Sequence, residues 1–127
     1  MTENEVSKTL VDAALKVHRA LGPGLLESVC ESVLAHELRS RGLRVLRQVS
    51  VPVRYNNILF DEGFRADLVV EQKVIVEVKS VELVKRVHNK QVLTYLRLAD
   101  MRLGLLINFG TDLIRDGITR LVNGLEE

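Results

Sequence analysis

Three successive β-strands are predicted between Leu43 and Ser80, because apolar residues recur there at every second position. The first run ends at Tyr55, and the turn "YNNI" leads into a second run over residues 58–70. "EQK" at 71–73 is a further short turn, and "VIVEVKS" after it is the near-continuous apolar run typical of a central strand. Strands joined by such short turns predict a meander.

Helical spacing of apolar residues appears on both sides of this region. Residues 4–21 and about 25–41 predict two helices, separated by "GPG" at 22–24, where Pro23 cannot continue a helix. Residues 81–99 predict a third helix and 102–109 a buried strand, while the closing "DGITRLVNGLEE" predicts a short strand or a turn. The order of elements predicts a mixed α/β fold, with one domain over residues 1–127.

Composition fits a globular domain and argues against membrane attachment. Of the 127 residues, 46% are hydrophobic and 28% charged, and the formal net charge is +1. No apolar run approaches the roughly 20 residues that span a bilayer. The single cysteine, Cys30, and an acidic N-terminal stretch without a signal-peptide core favour the cytoplasm.

Binding of a polyanion would need a local basic patch, since the near-zero net charge produces no general attraction. Two groups of basic residues are candidates, and each could also be an ordinary solvated surface. One surrounds Gly42 and the other lies on the third predicted helix: Arg39, Arg41, Arg44 and Arg47, and Lys85, Arg86 and Lys90.

Two carboxylates and a lysine interrupt the most apolar part of the chain. Glu77 and Lys79 are two apart on a strand and therefore share a face. A turn at 71–73 brings Asp67 next to Glu77 across the ladder, where the two carboxylates repel each other unless a cation joins them. Mg²⁺ binds through such carboxylates. A cross-strand ion pair on a solvent-facing sheet is the alternative, and the sequence leaves both open.

One face of the third predicted helix carries His88, Gln91 and Tyr95 at positions i, i+3 and i+7. An amide facing the sheet needs a hydrogen-bond partner, so Gln91 is a candidate functional residue. Tyr95 could equally be core packing, and a histidine in the position of His88 is more often a surface residue than a ligand.

Together these residues resemble the PD-(D/E)XK nuclease superfamily: Asp67, then Glu77-Val-Lys79, then Gln91-Val-Leu-Thr-Tyr95. More narrowly, three segments resemble the GxxExxY family of small prokaryotic proteins, over about Leu10 to Gly124: "LGPGLLESVCESVLAHELRSRGL", "EGFRADLVVEQKVIVEVKS" and "LGLLINFG". Its name motif falls on residues 24–30, with Glu27 present and Cys30 replacing the final tyrosine. Ala66 stands where the superfamily name has proline.

The resemblance implies a restriction-endonuclease-like core, a mixed four-stranded sheet in the order α-β-β-β-α-β, with an extra N-terminal helix. It also implies hydrolysis of phosphodiester bonds, most often in DNA, with Mg²⁺ or Mn²⁺. The roles it implies are metal binding by Asp67, Glu77, the Val78 carbonyl and Glu27, activation of water by Lys79, and positioning by Gln91 and Tyr95.

Two other functions remain compatible with the sequence. A non-catalytic nuclease-fold module would bind nucleic acid or a protein partner, as an accessory subunit or a homodimer. A purely structural domain would use the charged residues as an ion-pair network. The sequence distinguishes neither DNA from RNA nor single from double strands, and it leaves open whether catalysis survives with Cys30.

Overall fold

A computed structural model describes residues 1–126, without the side chain of Glu62. Its elements follow the predicted order, and their bounds are α1 Glu3–Leu21, α2 Glu27–Ser40, β1 Val45–Tyr55, β2 Ile58–Val70, β3 Val74–Lys79, α3 Arg86–Ala99, β4 Leu103–Asn108, a 3₁₀ helix Ile114–Gly117 and β5 Ile118–Val122. Among these residues no helix has the length and apolar character needed to cross a bilayer.

The strands form one five-stranded mixed sheet in the order β1-β2-β3-β4-β5. β3 and β4 are parallel and are connected through α3, whereas the other neighbours are antiparallel. The α/β class and the meander β1-β2-β3 are therefore confirmed, but the prediction of four strands is one too few. The fifth strand is short and only half-buried at the sheet edge, so its apolar alternation is weak.

Helices cover both faces of the sheet. α1 and α2 pack on one face around Leu10, Leu34 and Leu38, and α3 packs on the other through Val92, Tyr95 and Leu96. The close approach of α3 depends on Gly104 in β4, because a Cβ there would lie 2.7 Å from Val92 Cγ1. The sheet is thus the middle layer of three.

α3 begins at Arg86, five residues later than the sequence predicts. The Asn108 amide explains the difference: Val81 N–H donates to its Oδ1 at 3.0 Å, and its Nδ2 donates to the Val81 carbonyl at 2.8 Å. With its backbone bonded to β4, Val81 cannot enter the helix. The helix then starts where Lys85 N–H donates to His88 Nδ1 at 3.1 Å, so His88 caps α3.

The apolar alternation of β1 and β2 reverses its face in mid-strand, which the sequence does not predict. Leu68 packs with α1 and α2, yet Ala66 packs with α3, although both have the same parity in β2. In β1 the reversal occurs at Gln48, whose φ of 52° is unusual for a residue other than glycine. The strand over residues 58–70 is confirmed, but its alternating apolar residues do not all lie on one face of the sheet, because the strand pair turns over at the left-handed residue Gln48.

Candidate active site

Asp67 and Glu77 lie opposite each other where β2 and β3 stop pairing. The backbone register runs from Val70–Val74 to Leu68–Val76, so these two residues come next. Asp67 N–H donates to Glu77 Oε1 at 3.0 Å, and Val78 N–H donates to Asp67 Oδ2 at 2.8 Å. The two side chains thus accept hydrogen bonds from the backbone groups that the ladder no longer pairs.

Burial shifts the pKa of one carboxylate of this pair. Glu77 is only 6% exposed. Loss of hydration, with the charge of Asp67 as the next cause, raises the pKa of Glu77 from 4.5 to about 8. A cation between the carboxylates would reverse both effects. Perturbed carboxylates of this kind are more typical of functional sites than of structural ion pairs.

Lys79 and Tyr95 lie on the same side of the sheet as Glu77. Lys79 is half-buried at the end of β3 and lowers the pKa of Glu77, but less than burial and Asp67 raise it. It forms no direct ion pair with Asp67 or Glu77, all three of which lie in the described region. Burial, and then the charges of Glu77 and Asp67, raise the pKa of Tyr95 to about 12. Its phenol is therefore a protonated donor beside the carboxylates.

Gln91 lies one turn before Tyr95 on α3, half-buried at the rim of a groove. The groove is bounded on its other side by Phe64, whose ring centroid is 5.1 Å from that of Tyr95. The helical face predicted to carry Gln91 and Tyr95 therefore does point toward the sheet. His88 does not belong to this group, since it serves as the cap of α3.

Glu27 is the first residue of α2 and is exposed. Ser80 Oγ donates to the Leu25 carbonyl at 2.5 Å, which fixes the start of α2 against the end of β3, the end that carries Lys79. Cys30 points away from this end into the core, where it is 1% exposed and burial raises the pKa of its thiol. Across residues 1–126, no three His, Cys, Asp or Glu side chains converge closely enough to hold an ion.

Sequence reasoning missed a second set of polar residues behind the pair. Gln48 Nε2 donates to Asp67 Oδ1 at 3.2 Å and to Glu31 Oε1 at 2.7 Å. Glu31 is 6% exposed on α2, and Arg47 donates to its other oxygen from Nη2 at 2.9 Å and from Nε at 3.1 Å. A chain of hydrogen bonds therefore connects Asp67 to α2. Glu31 could have been noticed as a charged residue beside the apolar stripe of Cys30, Leu34 and Leu38.

The two basic groups differ in what they contact. In the first, Arg39 donates to the Val45 carbonyl, Arg41 pairs with Asp12 and Glu37, and Arg47 pairs with Glu31. These three arginines hold the fold together. In the second group Arg86 and Lys90 are exposed on α3, and the exposed Lys85 directly precedes the helix. Arg44 of the first group is exposed as well, so the second group, with three exposed cations, is the larger of the two surfaces available for a ligand.

A family model described as the PD-(D/E)XK nuclease superfamily matches residues 4–121. Searches of curated proteins and of solved structures returned no significant match.

Proposed function

Because the chain belongs to the PD-(D/E)XK nuclease superfamily, we propose that it is a metal-dependent nuclease that hydrolyses phosphodiester bonds in DNA. The observation that carries this proposal is the buried pair of Asp67 and Glu77, in which the pKa of Glu77 is raised to about 8. Lys79 forms no ion pair with Asp67 or Glu77 in the described part of the chain, which speaks against an ion-pair network of these three residues.

The residues present fit a hard divalent cation. Two carboxylates supply the oxygen ligands that Mg²⁺ and Mn²⁺ prefer, and Mg²⁺ in particular is commonly bound through one or two carboxylates. Asp67 is held by Val78 N–H and by Gln48, so little ordering would be needed to bind an ion. By resemblance to the family, Glu27 and the Val78 carbonyl are proposed as further ligands.

An ion bound there would supply positive charge that acidifies an attacking water and neutralises phosphate charge. We assign the remaining steps to side chains of this chain. Lys79, beside Glu77, orients the water and stabilises charge on the phosphate oxygens. Gln91 and the protonated Tyr95 donate hydrogen bonds that hold Lys79 or the phosphate in position.

We further propose that the chain belongs to the GxxExxY family, is cytoplasmic and forms a homodimer. Glu27, at the start of α2, supports membership of the GxxExxY family, and the burial of Cys30 places the substituted motif position in the core. One free buried cysteine supports a cytoplasmic location. The molar mass of the purified protein, measured by light scattering, tests for the homodimer.

A cleavage assay with matched variants tests the nuclease proposal. Purified protein with Mg²⁺ or Mn²⁺ should cut labelled DNA, and Asp67→Asn or Lys79→Met should reduce the rate at least about 10²-fold. Lys73→Met, a lysine at the opposite end of β3, is the control and should cut normally. Absence of cleavage with either metal would contradict the proposal.

Calorimetric titration with Mn²⁺ separates the nuclease from a non-catalytic module. A nuclease should bind the ion, and Glu77→Gln should abolish binding while Lys79→Met retains it. Binding of nucleic acid without any metal site would instead identify a module.

A further inference from the structure

β1 and β2 continue past the end of β3 as a two-stranded ribbon. β3 pairs only with residues 68–70 of β2, whereas β1 remains paired with β2 as far as Tyr55 and Ile58. Since β2 and β3 are antiparallel, the ribbon extends beyond the end of β3 that carries Lys79. The ribbon therefore projects from the same edge of the sheet as Asp67 and Glu77.

One face of this ribbon is apolar and becomes progressively exposed toward its tip. After the reversal at Gln48, Val51 and Ala66 are buried against α3. In β1 this face continues by alternation from Val51 through Val53 to Tyr55. The register of β2 shifts between Phe64 and Phe60, and beyond the shift Val53 pairs with Phe60 and Tyr55 with Ile58. The exposed fractions of Phe60, Ile58 and Tyr55 are 41%, 57% and 66%. Large apolar side chains clustered in this way mark interaction surfaces.

A groove lies between α3 and Phe64, at the base of the ribbon. It measures about 300 Å³ and is lined by Phe64, Val87, Lys90, Gln91 and Thr94. The Phe64 ring contacts the ring of Tyr95, and Tyr95 lies beside Glu77. Lys90 lines the groove from α3, Arg86 is exposed one turn earlier on the same helix, and the exposed Lys85 directly precedes it.

We propose that this groove binds single-stranded nucleic acid, with bases stacked on the ribbon face and phosphates along the basic residues of α3. The proposal rests on the nuclease function and names its substrate class. Single-strand binding sites combine a positively charged groove with aromatic surfaces, and both occur here on opposite walls. Paired bases in a duplex cannot stack on Tyr55 or Phe60, so among nucleic acids this face favours unpaired bases.

A larger hollow lies on the other side of the molecule. The hollow of about 490 Å³ lined by Leu15, His18 and Arg19 lies against the 3₁₀ helix. The helix that borders it, α1, packs on the sheet face opposite to α3. A second copy of the chain is the other occupant that an apolar face could take, but the cations on the facing wall favour a polyanion.

Fluorescence anisotropy with a labelled 12-nucleotide oligothymidylate tests the proposal on the full chain, in EDTA so that no cleavage occurs. Tyr55→Ala and Phe60→Ala should each weaken binding about 5- to 100-fold. Leu59→Ala is the matched control: Leu59 is 50% exposed on the same ribbon, but it pairs with Arg54 on the opposite face. This control should change binding less than twofold.

Two further measurements test the ribbon face and the basic residues separately. Because the chain contains no tryptophan, Tyr55→Trp introduces a single reporter whose fluorescence should be quenched when a base stacks on it. Lys85→Gln, Arg86→Gln and Lys90→Gln should each lower the dependence of log affinity on log salt concentration by about 0.7 per lost phosphate contact.

Several outcomes would overturn the proposal. They are equal or tighter binding of a duplex, an equal loss in Leu59→Ala, or an unchanged affinity in Phe60→Ala. Dissociation of a dimer by Phe60→Ala without nucleic acid would instead identify the face as an interface between copies.

Failure of the nuclease proposal can be told apart from failure of the groove proposal. A chain that binds the oligothymidylate through the ribbon but never cuts DNA supports the groove alone. A chain that cuts duplex DNA normally with Phe60→Ala retains the nuclease proposal and loses the groove.

Discussion

Asp67 and Glu77 hold each other in place, because Asp67 N–H donates to Glu77 Oε1 at 3.0 Å. The Asp67 carboxylate in turn accepts Val78 N–H at 2.8 Å, on the residue that follows Glu77. The site is therefore built into the point where two strands separate, and its charges are positioned by backbone groups rather than by flexible side chains. Positions fixed in this way need little reorganisation to bind a cation.

The raised pKa of Glu77 should make the apo protein less stable as the pH rises. The unfolded chain releases this proton near pH 4.5 and the folded chain near pH 8, so between these values the folded state binds more protons. The free energy of unfolding should fall through this window by at most about 1.4 kcal/mol per pH unit. Urea unfolding between pH 4 and pH 9 measures the slope.

Glu77→Gln should flatten this profile and stabilise the apo protein above pH 8, whereas Glu82→Gln, at an exposed carboxylate, should leave it unchanged. Mg²⁺ added at pH 8 should stabilise the natural chain but not Glu77→Gln. A slope that persists in Glu77→Gln would show that another group titrates.

Gln48 should raise the affinity for a metal ion, but its backbone conformation should lower the stability of the fold. Its amide orients Asp67 Oδ1 at 3.2 Å, but its φ of 52° is unfavourable for any residue with a Cβ. Both Gln48→Gly and Gln48→Ala should weaken Mn²⁺ binding, about 10-fold or more. Gln48→Ala should be less stable than Gln48→Gly by about 1 kcal/mol, because alanine keeps the strained Cβ.

Calorimetry gives the affinity and urea unfolding the stability of each variant. Asn57 has a φ of 62° in the ribbon turn, far from Asp67, so Asn57→Gly is a control for the backbone effect alone. Unchanged Mn²⁺ affinity in Gln48→Gly would show that the Gln48 amide does not position Asp67.

Much of the fold follows from local patterns in the sequence. Alternation located β1 and β2, and the continuous run "VIVEVKS" located the central strand β3. The start of α3 could not be found this way, because the Asn108 side chain that holds Val81 is distant in sequence. β5 is stabilised by pairing with β4 rather than by its own weak pattern.

The candidate site was predictable to the extent that it lies on regular strands. Parity and a short turn correctly brought Asp67 to Glu77. The reversal at Gln48 was not predictable, since no glycine or asparagine marks a left-handed residue there. With it, the connection from Asp67 through Gln48 to Glu31 and the apolar ribbon face were also missed.

The pair of Glu31 and Arg47 should stabilise the fold as well as the site. Glu31 is 6% exposed and accepts two hydrogen bonds from Arg47, so Arg47→Ala leaves a buried carboxylate with less compensation. We expect a loss of about 2 kcal/mol in the free energy of unfolding. Lys16→Ala removes an exposed partner of Glu37 and should change stability little. Equal effects of the two substitutions in urea unfolding would contradict this.

Tyr95→Phe should separate catalysis from packing. Phenylalanine keeps the ring contact with Phe64, so the free energy of unfolding should change by less than about 1 kcal/mol. The phenol, whose pKa is raised to about 12, stays protonated at every working pH and can therefore donate a hydrogen bond throughout. Its removal should lower kcat/KM for DNA about 10-fold. This factor should be the same at every pH from 6 to 9. A loss confined to high pH would show that Tyr95 ionises during turnover, and an unchanged rate would leave it a packing residue.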